Sequence, residues 1–245
     1  MAQVLLTLAY DGTNFAGFQV QKNARTVQST VQDAIERIWG DRLPVVGCSR
    51  TDAGVHARDY KLTFHAAPRL TEDRIPAALN AHLPDDIAVL GAETVPDTFH
   101  VRHDVYEKEY EYVICNTQNR DPFSVHTALH YRRPIDAELL ECAAQHFLGT
   151  HDFRAFMASG SDIADTTRTV RSVSVTREGS VVRLRIAADG FLYNMVRIFV
   201  GTMLSVNEGK LTPDDIPAVI NSRDRKNAGI TVPAHGLYLN RVVFR

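Results

Sequence analysis

Residues 47–57 read Gly-Cys-Ser-Arg-Thr-Asp-Ala-Gly-Val-His-Ala and are the densest polar cluster of the chain. The run lies between two apolar, strand-like segments, residues 44–46 and 62–65, and therefore predicts a tight loop between two strands. Its two glycines permit backbone conformations that other residues avoid and let a ligand approach the main chain. Arg50 and Asp52 offer an anion contact and a carboxylate in one loop. From the residues alone, Asp52 is either a turn-capping carboxylate or a functional one.

On both sides of this loop, apolar residues recur with the spacing of strands and helices. They predict a first strand that ends at Asp11-Gly12, a helix over 27–38 stopped by Gly40, a strand over 44–46, a helix over 139–147 closed by Gly149, a strand pair over 170–186, a helix over 194–206 and a last strand over 237–244. Strands that follow one another closely favour antiparallel pairing. We therefore predict an α+β protein with two similar halves, residues 1–130 and 131–245, that meet near 129–133.

Composition limits the classes of function. The 245 residues are 44% hydrophobic, enough for one large core or two modest ones. Because 27 Lys and Arg stand against 29 Asp and Glu, the formal net charge is −2, and any RNA site must be local rather than a bulk positive surface. No apolar run approaches the ~18 residues of a membrane span and no secretion signal opens the chain, so a cytoplasmic protein is expected.

Histidines and cysteines are the residues that could suggest a metal site or disulfides. The pairs His100 with His103 and His126 with His130 have no third ligand at a recognised metal spacing. The three cysteines are odd in number and form no Cys-x-x-Cys pair. We therefore expect no metal, no disulfide framework and a reducing compartment.

A series of different short motifs is distributed over nearly the whole chain. They are Tyr-Asp-Gly-Thr-Asn-Phe-Ala-Gly-Phe-Gln-Val-Gln at 10–21, Thr-Val-Gln at 26–28, Arg-Thr-Asp-Ala-Gly-Val-His-Ala at 50–57, Phe-His-Val-Arg at 99–102, Glu-Tyr-Glu-Tyr at 109–112, His-Asp-Phe at 151–153, Gly-Phe-Leu-Tyr-Asn-Met-Val-Arg at 190–197 and Pro-Ala-His-Gly-Leu-Tyr-Leu at 233–239. In this order they resemble the motifs of the TruA family of pseudouridine synthases.

The resemblance implies both a fold and an activity. The fold is a pair of ferredoxin-like or RRM-like α+β halves that share one continuous, mainly antiparallel β-sheet, with the active site in the cleft between them. The implied activity is a tRNA pseudouridine synthase that isomerises uridines of the anticodon stem-loop, expected at positions 38, 39 and 40. Such an enzyme uses no cofactor and no metal, and is typically a homodimer.

The resemblance also implies a role for five residues. Asp52 corresponds to the nucleophile, and Arg197 to the arginine that pairs with it and keeps it ionised. Tyr110 corresponds to the tyrosine that stacks on the target uracil and takes part in proton transfer. Arg50 is the candidate that supports a flipped-out nucleotide, and Leu239 packs beneath the base.

Structural alternatives stand beside these roles. Without the resemblance, Arg197 is a surface arginine, Arg50 a partner in a loop salt bridge, and Tyr110 part of a core-facing strand together with Tyr106 and Tyr112. We assign Tyr112 to the core. Phosphate contacts are expected from Lys22, Arg25, Arg168, Arg171, Arg225 and Lys226, and further from Arg183, Arg185 and Arg223.

One stretch departs from the family pattern. Arg58-Asp59-Tyr60-Lys61 stands where the family has a Gly-Gln-apolar sequence, in the strand that follows the Asp52 loop. Asp59 and Lys61 occupy alternate positions and are expected to share the solvent face. The departure raises a rival function, a tRNA-binding or RNA-folding module with impaired catalysis. The presence of Arg50, Asp52, Tyr110 and Arg197 favours the enzyme.

Overall fold

A computed structural model describes residues 1–161 and 163–245. They form two compact units, the first made of Met1–Tyr106 and Tyr238–Arg245 and the second of Glu107–Leu237. These units differ from the predicted halves 1–130 and 131–245. The last strand rejoins the first unit, and a long strand that the predicted boundary had left in the first half begins the second.

The secondary structure mixes strands and helices. The strands are β1 (Ala2–Tyr10), β2 (Val46–Gly47), β3 (His56–Ala66), β4 (Ile87–Val95), β5 (Val105–Cys115), β6 (Leu129–His130), β7 (Gly149–Asp152), β8 (Thr167–Glu178), β9 (Val181–Ala188) and β10 (Leu237–Phe244). The α-helices are α1 (Val27–Trp39), α2 (Ile75–Asn80), α3 (Ala137–Gln145), α4 (Met195–Asn207) and α5 (Ile216–Ser222). Short 3-10 helices span Gly12–Asn14, Arg154–Phe156, Pro213–Asp215, Arg225–Asn227 and Ala234–Gly236. The predicted α+β class is confirmed.

Strands β1 and β3 lie inside the sheet of the first unit, in the order β4-β1-β3-β10. β1 pairs antiparallel with both neighbours, so Leu6 lies opposite Leu62 of β3 and Ala92 of β4. β10 runs parallel to β3, with Leu239 opposite Ala57. Leu6, Leu62 and Leu239 are fully buried. The alternating apolar residues of these strands therefore build the core of the first unit.

Helix α1 begins and ends where the sequence predicts. The Thr26 hydroxyl accepts from the Ser29 amide at 3.2 Å, and the Ser29 hydroxyl accepts from the Thr26 amide at 3.3 Å, which caps the helix reciprocally. Gly40 ends it at φ +84°, a conformation that glycine adopts without a steric cost. Of the apolar stripe predicted for this helix, Val27, Val31, Ala34 and Ile35 are buried, whereas Ile38 is only half-buried and the neighbouring Trp39 is buried instead.

The second unit has the strand order β5-β9-β8-β7. Strand β9 pairs antiparallel with β5 and β8, so Ile186 lies opposite Tyr110 and Val173. A cluster of buried aromatic rings packs beside helix α4, and Phe147 stacks on Phe199 with 4.2 Å between ring centroids. The predicted strand pair over 170–186 and the predicted helix over 194–206 are thereby confirmed.

Segment 229–232 lies directly against helix α4. A Cβ atom added at Gly201 would sit 1.8 Å from the Ile230 carbonyl oxygen, so only glycine allows this approach. The Gly229 amide donates to the Thr202 hydroxyl at 2.9 Å. The segment is therefore held on the helix by its main chain.

Two details differ from the sequence-based expectations. The helix over 139–147 ends at Gln145, and Gly149, predicted to close it, begins β7 instead. Most strand pairs are antiparallel as predicted, but β10 with β3 and β6 with β5 are parallel. Over residues 1–161 and 163–245, we find no helix with the length and apolar character needed to cross a membrane.

Candidate active site

The loop that carries Asp52 is held through the residue before it. Thr51 is buried, its hydroxyl lies 2.8 Å from the Tyr10 hydroxyl, and its carbonyl accepts from the Phe18 amide at 3.0 Å. Asp52 itself is half-buried at a turn in which its carbonyl accepts from the Val55 amide at 3.2 Å. The motif at 10–21 therefore serves as the support on which this loop rests.

Gly12 contacts the far side of the same loop. Its amide donates to Nδ1 of His56 at 3.0 Å, and an Asp11 carboxylate oxygen lies 3.1 Å from the same nitrogen. His56 is 2% exposed and stacks on Tyr238 with 4.6 Å between ring centroids. A Cβ at Gly12 would lie 2.0 Å from the Val55 carbonyl oxygen. The loop and its support are thus packed main chain against main chain.

We expect the Gly12→Ala substitution to displace the loop. The added methyl group cannot fit against the Val55 backbone, so the free energy of unfolding should fall by about 1–3 kcal/mol. A shifted carboxylate should also lower the turnover number by roughly tenfold or more. Urea unfolding and a pseudouridine assay measure the two effects. The control is Gly91→Ala, whose added Cβ would meet its nearest neighbour, Thr7 Cβ, at 4.0 Å; equal behaviour of the two variants would contradict this account.

Residues 58–61 of β3, which differ from the family pattern, include one that supports the Asp52 loop. Tyr60 is fully buried, its hydroxyl donates to the Ser49 carbonyl, and its ring stacks on Phe18 with 4.5 Å between centroids. Gly47 makes room for both rings, since a Cβ there would lie 2.2 Å from the Tyr60 hydroxyl and 2.5 Å from Phe18. A bulky aromatic residue in β3 is therefore matched by a glycine at the end of β2, where the loop begins.

The charged neighbours of Tyr60 are only partly solvent-facing. Asp59 accepts from the Val242 amide of β10 at 2.9 Å and lies 2.7 Å from Lys61 Nζ. Lys61 also donates to the Thr7 hydroxyl at 2.8 Å. The two side chains share one face as predicted, but they are only 25% and 16% exposed. Their contacts with each other, with Thr7 of β1 and with the Val242 amide of β10 hold both side chains close to the sheet.

We expect Tyr60→Phe to destabilise the protein by removing one hydrogen bond to the loop while the buried ring stays in the core. The variant keeps the ring stack but leaves the Ser49 carbonyl without this donor, so the free energy of unfolding should fall by about 1–2 kcal/mol. Denaturant unfolding measures the change. Tyr193→Phe is the control, because Tyr193 is 44% exposed and its hydroxyl makes no hydrogen bond in the part of the chain that the structure describes. A Tyr60→Phe protein as stable as the control would contradict the role of the hydroxyl.

Arg197 is held by two neutral acceptors in the second unit. It lies in the first turn of α4, where its Nε donates to the Val232 carbonyl at 2.7 Å and its Nη1 to the Asn194 side chain at 2.6 Å. Asn194 adopts a left-handed conformation, φ 59°, at the helix start. The guanidinium is half-buried. Arg197 is therefore not the solvated surface arginine of the alternative interpretation.

Tyr110 and Tyr112 have different surroundings on β5. Tyr110 is buried and packs edge-on against Phe191 with 5.0 Å between centroids. Tyr112 is fully buried and donates to the Pro233 carbonyl at 2.8 Å, and burial raises the pKa of its hydroxyl. The assignment of Tyr112 to the core is confirmed. Tyr106 is 45% exposed, so the three tyrosines do not form one core-facing row.

Arg50 and Leu239 both belong to the first unit. Arg50 is exposed, and its guanidinium forms no salt bridge or hydrogen bond with residues 1–161 or 163–245. The alternative of a loop salt bridge is therefore wrong for the described residues. Leu239 is fully buried beside Ala57, the last residue of the Asp52 motif.

Comparison with known proteins agrees with these observations. Residues 7–104 and 143–245 match a family model described as tRNA pseudouridine synthase. The tRNA pseudouridine synthase A of Acetivibrio thermocellus is 46% identical over 244 residues, and the alignment covers 100% of both chains. Relatives of the same name from Thermoanaerobacter sp. and Moorella thermoacetica are 42% and 44% identical, covering 100% and 98% of each chain.

The chain belongs to the tRNA pseudouridine synthase family. It is accordingly an isomerase, and the activity predicted from the motifs is confirmed at this level. The matched segments contain Arg50, Asp52, Arg197 and Leu239, whereas Tyr110 lies in the stretch 105–142 outside them. The full-length relatives span that stretch as well.

Several arginines of this synthase are already paired within the protein. Arg25 donates twice to Asp86 at 2.9 Å and lies over the Phe15 ring at 4.2 Å. Arg183 and Arg185 both bind the Glu111 carboxylate, which is 1% exposed. Phosphate binding by these three would compete with internal ion pairs.

The other phosphate-contact candidates differ in how they are held. Lys22, Arg171 and Lys226 are exposed, and Arg168 donates to the carbonyls of Asp165 and Thr167. Arg225 is half-buried and lies beside an open pocket. Among the described residues, no group of three or more His, Cys, Asp or Glu side chains is placed to hold a metal ion.

Sequence reasoning missed the residues that support the synthase loop. Tyr10, Phe18 and His56 each contact the loop or form its buried end, yet none was singled out as a site residue. A signal was present, because all three lie inside the motifs at 10–21 and 50–57. Motifs far apart in a chain that each resemble one family are expected to meet at its site.

Proposed function

We propose that this synthase converts uridines 38, 39 and 40 of the tRNA anticodon stem-loop to pseudouridine, with Asp52 as the nucleophile. The choice of uridines rests on the resemblance of the motifs. The observation that supports Asp52 is the anchoring of its loop, since Thr51 is buried against Tyr10 and Phe18 while Asp52 lies half-buried at the turn. A carboxylate on a loop held by its neighbours stays in position while a base is moved.

The reaction requires a group that holds the intermediate. Isomerisation breaks the bond from uracil N1 to ribose C1′, turns the ring and forms a bond from C5 to C1′, while C5 loses its proton and N1 gains one. A carboxylate can add to the nucleotide and leave again, as carboxylates do in reversible glycosyl chemistry. Asp52 serves this purpose whether its oxygen attacks C6 of the ring or C1′ of the ribose.

Arg197 supplies the charge that such a carboxylate needs. A base that covers the loop removes water from Asp52, and loss of water by itself favours the neutral acid. A guanidinium stays protonated in these surroundings and can oppose that effect. In this proposal Asp52 and Arg197 act on the same nucleotide.

The remaining roles follow the same resemblance. Tyr110 stacks on the uracil and takes part in removal of the C5 proton. Arg50, which is exposed and has no internal salt bridge within the described residues, supports the flipped-out nucleotide. Leu239 lies beneath the base. In this proposal the synthase is cytoplasmic and needs no cofactor. It is also a homodimer, and sedimentation at assay concentration tests this oligomeric state.

The rival function, a binding module with impaired catalysis, has less support. Its basis is that residues 58–61 of β3 differ from the family pattern. Tyr60 in this stretch, however, is fully buried and contacts the loop backbone. A strand packed in this way gives no physical reason for lost activity.

The experiment that tests the proposal is a map of pseudouridine in tRNA. Purified protein is incubated with unmodified tRNA transcripts, and pseudouridine is located by carbodiimide-dependent stops of reverse transcription. We expect stops at 38, 39 and 40 wherever uridine occurs there. Pseudouridine only at other positions would overturn the choice of uridines, and bound but unmodified tRNA would favour the rival function.

A further inference from the structure

An open pocket of about 580 Å³ in the second unit is lined by three arginines. Arg154 comes from one 3-10 helix, Arg225 from another, and Arg223 from the end of α5. Ser159, Ser161 and Thr231 line the same space, and Asp224 is its one lining carboxylate within the described residues. Among the described residues the lining therefore has more cations than carboxylates, although the chain as a whole carries a formal charge of −2.

The three arginines differ in how their charges are compensated. The Asp152 carboxylate lies 3.0 Å from Arg223 and also attracts Arg154, so it offsets part of both charges. Arg154 is exposed, and within the described part of the chain its guanidinium forms no salt bridge or hydrogen bond. Two cations at most are thus neutralised by Asp152 and Asp224.

Arg225 is the arginine of the three whose surroundings most strongly favour a bound anion. Its guanidinium donates to the Ala228 carbonyl at 3.3 Å and to the Thr231 hydroxyl at 3.2 Å, both neutral acceptors. Burial lowers the pKa of Arg225, and among residues 1–161 and 163–245 no carboxylate offsets that effect. A half-buried cation without a counter-charge is costly, and a bound anion would relieve the cost.

We propose that this pocket binds a backbone phosphate of the tRNA substrate through Arg154 and Arg225. Planar guanidinium groups are suited to phosphate oxygens, and the pocket opens to solvent, where a backbone phosphate can reach it. In the sequence Arg154 lies between Phe153 and Ala155, apart from other Lys and Arg residues, so no cluster of charge marks it as a phosphate contact.

The pocket adjoins the proposed catalytic arginine. Thr231, which accepts from Arg225, precedes Val232, whose carbonyl accepts from Arg197. On another wall the Ala158 amide donates to the Tyr193 carbonyl at 3.0 Å, in the motif that leads to Arg197. The segment that carries Thr231 is itself held on α4 at Gly201 and Gly229. The bound phosphate therefore belongs to a nucleotide near the target uridine, a placement that rests on the proposed function of Arg197.

The first test is tRNA binding by Arg154→Gln at several salt concentrations, beside wild type and Arg37→Gln. Arg37 is an exposed arginine of α1 and gives the same change of charge. We expect Arg154→Gln to weaken binding about tenfold and to reduce the slope of log Kd against log salt by about 0.7–0.9, one phosphate contact. In turnover, KM should rise more than kcat falls. Wild-type affinity and slope in Arg154→Gln would overturn the proposal.

The second test identifies the phosphate. Full-length tRNAs with one neutral methylphosphonate linkage, placed in turn along the anticodon arm, are bound to wild type, Arg154→Gln and Arg225→Gln. One linkage should weaken binding to wild type but cause no further loss in Arg154→Gln, since the contact is already gone. If every linkage weakens both proteins equally, the pocket binds no backbone phosphate. If Arg225→Gln folds poorly, the comparison of wild type with Arg154→Gln still decides whether the pocket binds a backbone phosphate.

A third measurement separates RNA from a free anion. Calorimetric titration with inorganic phosphate that shows an Arg154-dependent site, together with unchanged tRNA binding, would assign the pocket to a small anion and overturn the proposal. These binding measurements need no turnover. A protein that shows the linkage effect but modifies other uridines would refute the proposed positions and leave the pocket assigned.

Discussion

Asp52→Asn should lower the rate of pseudouridine formation by roughly 10⁴-fold or more, the scale seen when a covalent nucleophile is removed. Asparagine has nearly the shape of aspartate but lacks the negative charge and the nucleophilic oxygen. The loop should keep its place, because Thr51 and the Val55 turn hold it through other atoms. Tritium release from tRNA labelled at uracil C5 measures the rate.

The matched control for this prediction is Asp97→Asn. Asp97 belongs to the same unit, is 77% exposed and lies 3.7 Å from His65, away from the loop residues. It should retain wild-type activity. Both variants should unfold at the same denaturant concentration as the wild type, since neither change removes buried apolar surface. An Asp52→Asn enzyme that turns over at nearly the wild-type rate would refute the nucleophile assignment.

Arg197→Lys is expected to fold normally and to react roughly 10²-fold more slowly, the loss typical of a displaced charge-stabilising group. Lysine keeps the positive charge but has no planar fork. It cannot donate to the Val232 carbonyl and the Asn194 side chain with the geometry of Nε and Nη1. Single-turnover rates at saturating tRNA isolate the chemical step from binding.

The control for this substitution is Arg37→Lys, the same change at an exposed position of α1. Its rate should equal that of the wild type. If Arg197→Lys raises KM alone, the arginine binds substrate without acting on the reaction. A double variant with Asp52→Asn adds a further check, because residues that act as a unit show strongly non-additive losses.

Helices and strands were predictable where their signals are local. Helix α1 has its cap at Thr26 and its stop at Gly40, and both lie within one turn of the helix ends. The helix over 139–147 shows the limit of such signals. Gly149 resembles a stop signal, but the helix ends four residues earlier and Gly149 begins the strand β7. Glycine suits both positions, so its identity alone does not choose between them.

Some residues of the candidate site were predictable from the sequence, and others were not. Asp52 stood out as a carboxylate in a glycine-containing loop, and the resemblance to a family gave it a role that loop chemistry left open. The contribution of Tyr60 could not be read in the same way. Its hydroxyl reaches Ser49 and its ring reaches Phe18, and that geometry exists only after β3 has taken its register beside β1.

The order and type of the residues determined the α+β class, the main elements and the family of this synthase, because periodicity, caps and motifs are properties of short segments. Tertiary structure alone decided which cations are left without a counter-charge. Arg25 and Arg225 are both phosphate-contact candidates in the sequence, yet Arg25 pairs with Asp86, whereas within the described residues Arg225 donates only to neutral acceptors. Asp86 is 61 residues from Arg25 in the sequence, so the packing of the chain creates that ion pair and no local pattern records it.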